Sequence, residues 1–112
     1  MKEGDIVLVH LFQSDGNFKL RPALILKQRP AYNDFLVCGI STQLHQCIKN
    51  LDEVLDENNI IFSATGLRKS SLIRLLFLAV MPTDKIPGAI GKIPDPLHQA
   101  LLKRLADFLL AE

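Results

Sequence analysis

Two arginines in this 112-residue chain stand where a guanidinium can meet a phosphate. Arg21 falls between the polar stretch Ser14-Asp15-Gly16-Asn17 and the apolar run Ala23-Leu24-Ile25-Leu26. Gly, Asn and Asp mark a turn, and the apolar run reads as a buried strand. Pro22 holds the residue before it extended and suits the first position of that strand. A planar, permanently charged five-donor fork held where a loop meets a sheet can grip a phosphate. The same placement also suits an ordinary surface ion pair. Arg74 lies inside Leu72-Ile73-Arg74-Leu75-Leu76-Phe77, where a charge needs either water or a partner. On an alternating strand it shares a face with Leu72 and Leu76. It either reaches off a sheet edge into water or pairs with Asp52, Glu53 or Asp56.

Ser41-Thr42-Gln43 adds two hydroxyls and an amide at the end of another apolar run. Such groups bind phosphate oxygens and ribose hydroxyls, and they also cap strand ends. Lys19 supplies a cation beside Arg21, and Arg68-Lys69 supply two more before Arg74. A strongly curved sheet would bring Arg21, Ser41-Thr42 and Arg74 to one place.

Other chemistries find little support. Glycines never cluster into a phosphate loop, and neither a His-Glu-Xaa-Xaa-His nor a paired-cysteine motif occurs. His10 reads as a strand residue at the edge of a core, while His45 and His98 read as solvated. Cys38 and Cys47 are too few for a disulfide scaffold and lack the partners of a zinc site, so neither metal nor cofactor is expected. A net charge of +1 supplies no global basic field, so nucleic-acid binding would need a local patch. With 48% hydrophobic and 22% charged residues, the chain is expected to fold as one domain over residues 1–112. Residues 1–5 do not read as a signal peptide and the apolar runs are too short to span a bilayer. The expected location is the cytoplasm, with no membrane partner.

The elements that position these groups follow from local pattern. Residues 6–12, 21–27 and 35–42 read as three successive strands of an antiparallel meander. Pro30 and Asn33 supply turn chemistry between the second and third. Residues 43–65 keep roughly helical spacing at Leu44, Ile48, Leu51, Val54 and Leu55, and predict a strand or short helix in an irregular, acidic stretch. A turn at residues 66–70 leads into a long strand over 71–81, stopped by Pro82; its leucines also suit a helix, and the flanking turns and preceding meander decide for a strand. A short strand falls within 88–93. Asp95 reads as the N-cap of a terminal helix with Pro96 at its first position. That helix carries Leu97, Leu101, Leu105, Phe108 and Leu109 on one face. The expected whole is a mainly β fold, a small bent sheet or barrel, closed by a C-terminal helix.

In this order, the blocks Gly4-Asp5-Ile6-Val7, Leu20-Arg21-Pro22-Ala23-Leu24-Ile25-Leu26 and Gly39-Ile40-Ser41-Thr42-Gln43 resemble the PemK/MazF toxins of type II toxin–antitoxin systems. Gly66-Leu67-Arg68-Lys69-Ser70-Ser71-Leu72-Ile73-Arg74 and Gly88-Ala89-Ile90-Gly91-Lys92-Ile93 extend the resemblance over nearly the whole chain. It implies a small SH3-like barrel, shared with the CcdB toxins, that forms a homodimer. It further implies a metal-independent endoribonuclease cutting single-stranded RNA through a 2′,3′-cyclic phosphate. Arg21 and Arg74 would then be catalytic; Ser41, Thr42, Gln43, Lys19, Arg68 and Lys69 would bind substrate. The implied partners are RNA, a cognate antitoxin protein and, as a complex with that antitoxin, DNA.

The resemblance departs at Leu76 and Phe77, which fall where many active members carry an acidic residue or glutamine. Asp15 is only a loose counterpart of an acidic residue in their first loop. A second reading therefore keeps the fold and drops the cleavage, leaving a nucleic-acid or protein-binding module. A topoisomerase poison like CcdB is disfavoured, because the chain ends Leu109-Leu110-Ala111-Glu112 without an aromatic tail.

Overall fold

The computed structural model describes residues 1–29 and 31–112. Six strands form one antiparallel sheet: β1 (Asp5–Phe12), β2 (Phe18–Arg29), β3 (Asp34–Ser41), β4 (Glu53–Leu55), β5 (Ser71–Pro82) and β6 (Ala89–Lys92). Their spatial order is β4-β5-β3-β2-β1-β6, and the helix α1 (Asp95–Leu110) follows β6. The mainly β fold with a terminal helix agrees with the sequence reading.

Strand alternation explains why so much of this short chain is buried. Ile6, Leu24, Leu26, Cys38 and Ile40 point to one side of the sheet, where Ile73, Leu75, Leu101 and Leu105 pack on them. Val7, Val9, Ala23, Ile25 and Val37 point to the other, with Phe35 and Ile86. The sheet is covered on both faces, so β2 reads as an unbroken apolar run rather than as an alternating one. Each fully buried aliphatic side chain contributes about 1.5–3 kcal/mol relative to exposure.

Several local expectations shift. β1 and β2 pair as far as Phe12↔Phe18, so the hairpin is longer than the apolar run alone predicts. Pro22 is consequently inside β2, opposite Leu8, and not at its first residue. It is tolerated there because β2 pairs with β3 only from Ala23 onward, which leaves Pro22 on a local edge where its missing N–H costs nothing. Asn33 adopts the left-handed conformation (φ 53°) expected of a turn residue, whereas Pro30 lies outside the described residues.

Between β3 and β5 the apolar spacing does not build an α-helix. Two 3-10 turns (Leu44–Gln46 and Phe62–Thr65) flank the three-residue β4, and of the five spaced apolar residues only Leu51 and Leu55 are buried. The second turn sits hard against β6. A Cβ on Gly91 would lie 2.2 Å from the Thr65 carbonyl carbon, so only glycine fits that crossing.

In α1, Asp95 is the first helical residue and Pro94 takes the N-cap position without a side-chain cap. The Asp95 carboxylate still stands in the first turn, where the helix dipole favours it. Leu101 and Leu105 are buried as expected, but Phe108 and Leu109 are exposed, since the buried part of the helix ends at Leu105. His98 is buried rather than solvated: its Nε2 lies 2.9 Å from the Leu26 carbonyl oxygen, so the imidazole ties the first turn of α1 to the end of β2's core run. Among the described residues no helix is long and apolar enough to cross a membrane.

Candidate functional site

β2 and β3 part company at one point, and a groove opens there. Their pairing ends at Ala23↔Gly39. Beyond it, Arg21 and Pro22 stay with β1 (Val9 and Leu8), while Ile40 and Ser41 stay with β5 (Ile73 and Leu72). The resulting open groove of about 590 Å³ is lined by Arg21 and Pro22 on one wall and Gly39 to Gln43 on the other. Ser71, Arg74 and Phe77 reach it from β5, and Leu11 to Ser14 and Gln46 complete it.

The second determinant is an irregularity in β5. Cys38 pairs with Leu78, yet the next residue, Gly39, pairs with Arg74. One step on β3 spans four on β5, so Leu75, Leu76 and Phe77 have no partner on β3. In a regular strand, residues three apart face opposite sides. Here the bulge brings them together: the Arg74 guanidinium carbon sits 3.5 Å from the centroid of the Phe77 ring. Arg74 thus shares the groove with Phe77, not with Leu72, which is fully buried, or Leu76.

The acidic residues that might have neutralised Arg74 are engaged elsewhere. Glu53 Oε1 accepts from Arg104 on α1 at 2.8 Å. Asp52 accepts the backbone N–H groups of Ile48 and Leu75, and Asp56 accepts that of Asn58. Among the described residues neither Arg21 nor Arg74 forms an ion pair. Among the described residues that line it there is no carboxylate, imidazole or amine. Two guanidinium groups therefore stand in a groove whose other polar groups are hydroxyls and amides, which is an anion-binding composition.

Ser41 Oγ accepts the Gln43 N–H at 3.0 Å, the strand-end contact foreseen for it, yet it still lines the groove. Of the residues singled out in the sequence, Arg21, Arg74, Ser41, Thr42 and Gln43 come together. Lys19, Arg68 and Lys69 do not line the groove. Lys19 points to Asp15 across the hairpin tip at 3.8 Å. Asp15 is held below the usual carboxylate range first by the backbone N–H of Asn17 and then by Lys19.

Sequence reasoning missed Phe12, Gln13, Gln46 and the part played by Phe77. Phe12 and Phe18 face each other directly across the hairpin, with ring centroids 5.3 Å apart in an edge-to-face arrangement, and both are about two-thirds exposed. Exposed aromatic residues at a strand end were the available signal. For Phe77 there was none, because its place depends on the bulge.

Fold and groove together define a small protein built on a curled β-sheet, with a cationic, hydroxyl-lined cleft where the sheet splits. The sequence profile of the PemK-like, MazF-like toxins of type II toxin–antitoxin systems matches residues 2–109, and the chain belongs to that family. Among solved structures it is similar to an endoribonuclease in complex with its cognate antitoxin from a mycobacterial species (TM-score 0.71, 12% identity, 100% of this chain and 98% of the other). It is also similar to the Mycobacterium tuberculosis toxin MazF-mt6 (0.70, 22%, 96% and 99%). A third similar chain comes from the crystal structure of MazE-MazF (form II) from Deinococcus radiodurans (0.68, 15%, 100% and 97%). At these identities the likeness is one of fold. A search among curated proteins returns no significant match.

Proposed function

We propose that this chain is a toxin that cleaves single-stranded RNA without a metal, holding the scissile phosphate in the split between β2 and β3. The observation that carries this reading is the pair Arg21 and Arg74, both without ion-pair partners among the described residues and both lining one groove with Ser41 and Thr42. The 2′-oxygen attacks the adjacent phosphorus as it loses its proton. The bond to the 5′-oxygen breaks, and that oxygen takes up a proton, leaving a 2′,3′-cyclic phosphate and a 5′-hydroxyl end. Negative charge grows on the non-bridging oxygens, where two guanidinium groups and hydroxyl donors stabilise it. Arginine is charged at any ordinary pH, so both act as electrostatic stabilisers and not as bases. Gln43 adds amide donors and acceptors at the rim.

The protein works in the cytoplasm as a homodimer on this reading, with an antitoxin laying a segment into the groove in competition with RNA and with DNA bound by the toxin–antitoxin complex. The test is incubation of the wild type and Arg21→Ala with a long single-stranded RNA in EDTA, followed by mapping of the ends. Discrete cuts bearing cyclic phosphates, from the wild type alone, are expected. A second reading is favoured by the absence of any carboxylate or imidazole from the lining: a binding module on the same fold that holds RNA and leaves it intact. A folded wild type that retains RNA but does not cut a varied pool would establish it.

A further inference from the structure

The bulge in β5 needs something to hold it, because three successive residues lack a partner on β3. On the other side β4 pairs with β5 only through Glu53↔Ile73, Val54↔Leu72 and Leu55↔Ser71, so it too stops short of the bulge. Leu75 is fully buried, and a buried backbone N–H without an acceptor is costly. The acceptor is a side chain. Asp52, one residue before β4 and only 8% exposed, receives the Leu75 N–H on Oδ1 at 3.1 Å and the Ile48 N–H on Oδ2 at 3.0 Å. Its carboxylate thus substitutes for the missing strand at the point where β5 departs from regular pairing. Its own segment is tied down in turn, since Arg104 on α1 binds Glu53 Oε1 at 2.8 Å.

From this geometry we infer that Asp52 is a positioning residue for the groove: by accepting the Leu75 N–H it sets the β5 bulge that stacks Arg74 on Phe77 and aims the guanidinium at the bound phosphate. Asp52 does not line the groove and touches no substrate. The bulge does two things that a regular strand cannot. It leaves Leu75 in the core beside Ile73, and it puts Arg74 and Phe77, three residues apart, on one side. A guanidinium held against an aromatic face has fewer orientations to lose when it meets an anion, and the contact leaves N–H groups free to donate. The catalytic part of this inference rests on the ribonuclease reading given above; the conformational part does not.

The stack provides a readout independent of activity. With its guanidinium carbon 3.5 Å from the ring centroid, Arg74 should feel the ring current of Phe77, and its side-chain N–H protons should resonate upfield of ordinary arginines in the wild type. In Asp52→Ala, with both acceptors gone, those signals should move to ordinary positions. The kcat for RNA should fall about 10–100-fold, the range that a misplaced catalytic group produces, with KM changing much less. Asp52→Asn keeps one acceptor and should recover part of both. A folded Asp52→Ala with wild-type Arg74 signals and wild-type kcat overturns the inference. Should Asp52→Ala fail to fold, Asp52→Asn and a scalar coupling across the hydrogen bond, from the Leu75 amide nitrogen to the Asp52 carboxyl carbon in the wild type, decide the matter. Absence of that coupling overturns it. If the wild type cuts no RNA while the Arg74 signals respond to Asp52 as stated, the ribonuclease reading falls and the role of Asp52 in setting the bulge stands.

Discussion

Ser41 Oγ accepts the backbone N–H of Gln43 at 3.0 Å, and that contact decides what the hydroxyl can offer the groove. A serine hydroxyl has one proton to donate. With a lone pair taken by Gln43, the proton is left for a groove ligand. Ser41→Ala should reduce RNA cleavage about 100–1,000-fold, the scale of losing one donor to a developing oxyanion. Stability should fall by about 1 kcal/mol, the net worth of one hydrogen bond. Single-turnover rates and thermal melts check both.

Arg21 is exposed and has no ion-pair partner among the described residues, so it contributes little to folding. Arg21→Ala should change stability by less than about 0.5 kcal/mol and lower cleavage by at least about 100-fold. Arg21→Lys keeps the charge but loses the two-pronged donor geometry, and should recover only part of the rate. A loss of folding equal to the loss of activity would instead make Arg21 structural.

Among the described residues the groove lining contains no carboxylate or imidazole. Cleavage through the 2′-hydroxyl would then depend on solvent base, and the logarithm of the rate should climb with pH at a slope of about one between pH 6 and 9. A bell-shaped profile would place a titrating side chain from outside this lining in the reacting complex.

Cys38 and Cys47 should behave very differently. Burial pushes the Cys38 thiol up from its ordinary 9.0 to about 12, while Cys47 is exposed. At pH 8 a thiol reagent should label one cysteine in the native chain and both in denaturant. The unfolded thiol ionises first, so this group favours the fold fully below pH 9, and its contribution declines as pH rises from about 9 towards 12. Cys38→Ala should remove that part of the alkaline loss of stability in denaturant titrations across the window.

Gly91 crosses the Phe62–Thr65 turn with no room for a side chain. An added Cβ meets the Thr65 carbonyl carbon at 2.2 Å and its oxygen at 2.3 Å, both of them backbone atoms that cannot swing aside. Gly91→Ala should cost about 1–3 kcal/mol, as overpacking typically does. Gly88→Ala, which meets nothing within 4 Å, is the matched control and should be nearly neutral. Urea midpoints of the two variants make the comparison.

The amino-acid sequence by itself determined five of the six strands and the terminal helix, because each depends on neighbours a few residues apart; the short β4 lies in the stretch where the pattern left strand and helix open. The sequence also brought Arg21, Ser41, Thr42, Gln43 and Arg74 forward as candidates, and these five do share one groove. Only the tertiary structure decided how they meet. The split between β2 and β3 and the bulge in β5 are matters of register between strands, and no local pattern encodes them. The same holds for Asp52, whose hydrogen bond to Leu75 spans 23 residues of sequence, and for His98, whose polar ring is buried because the Leu26 carbonyl meets it. Lys19, Arg68 and Lys69 show the converse. Charge and sequence proximity nominated them for the groove, but whether a long exposed side chain lines a cleft depends on where its strand end points in space.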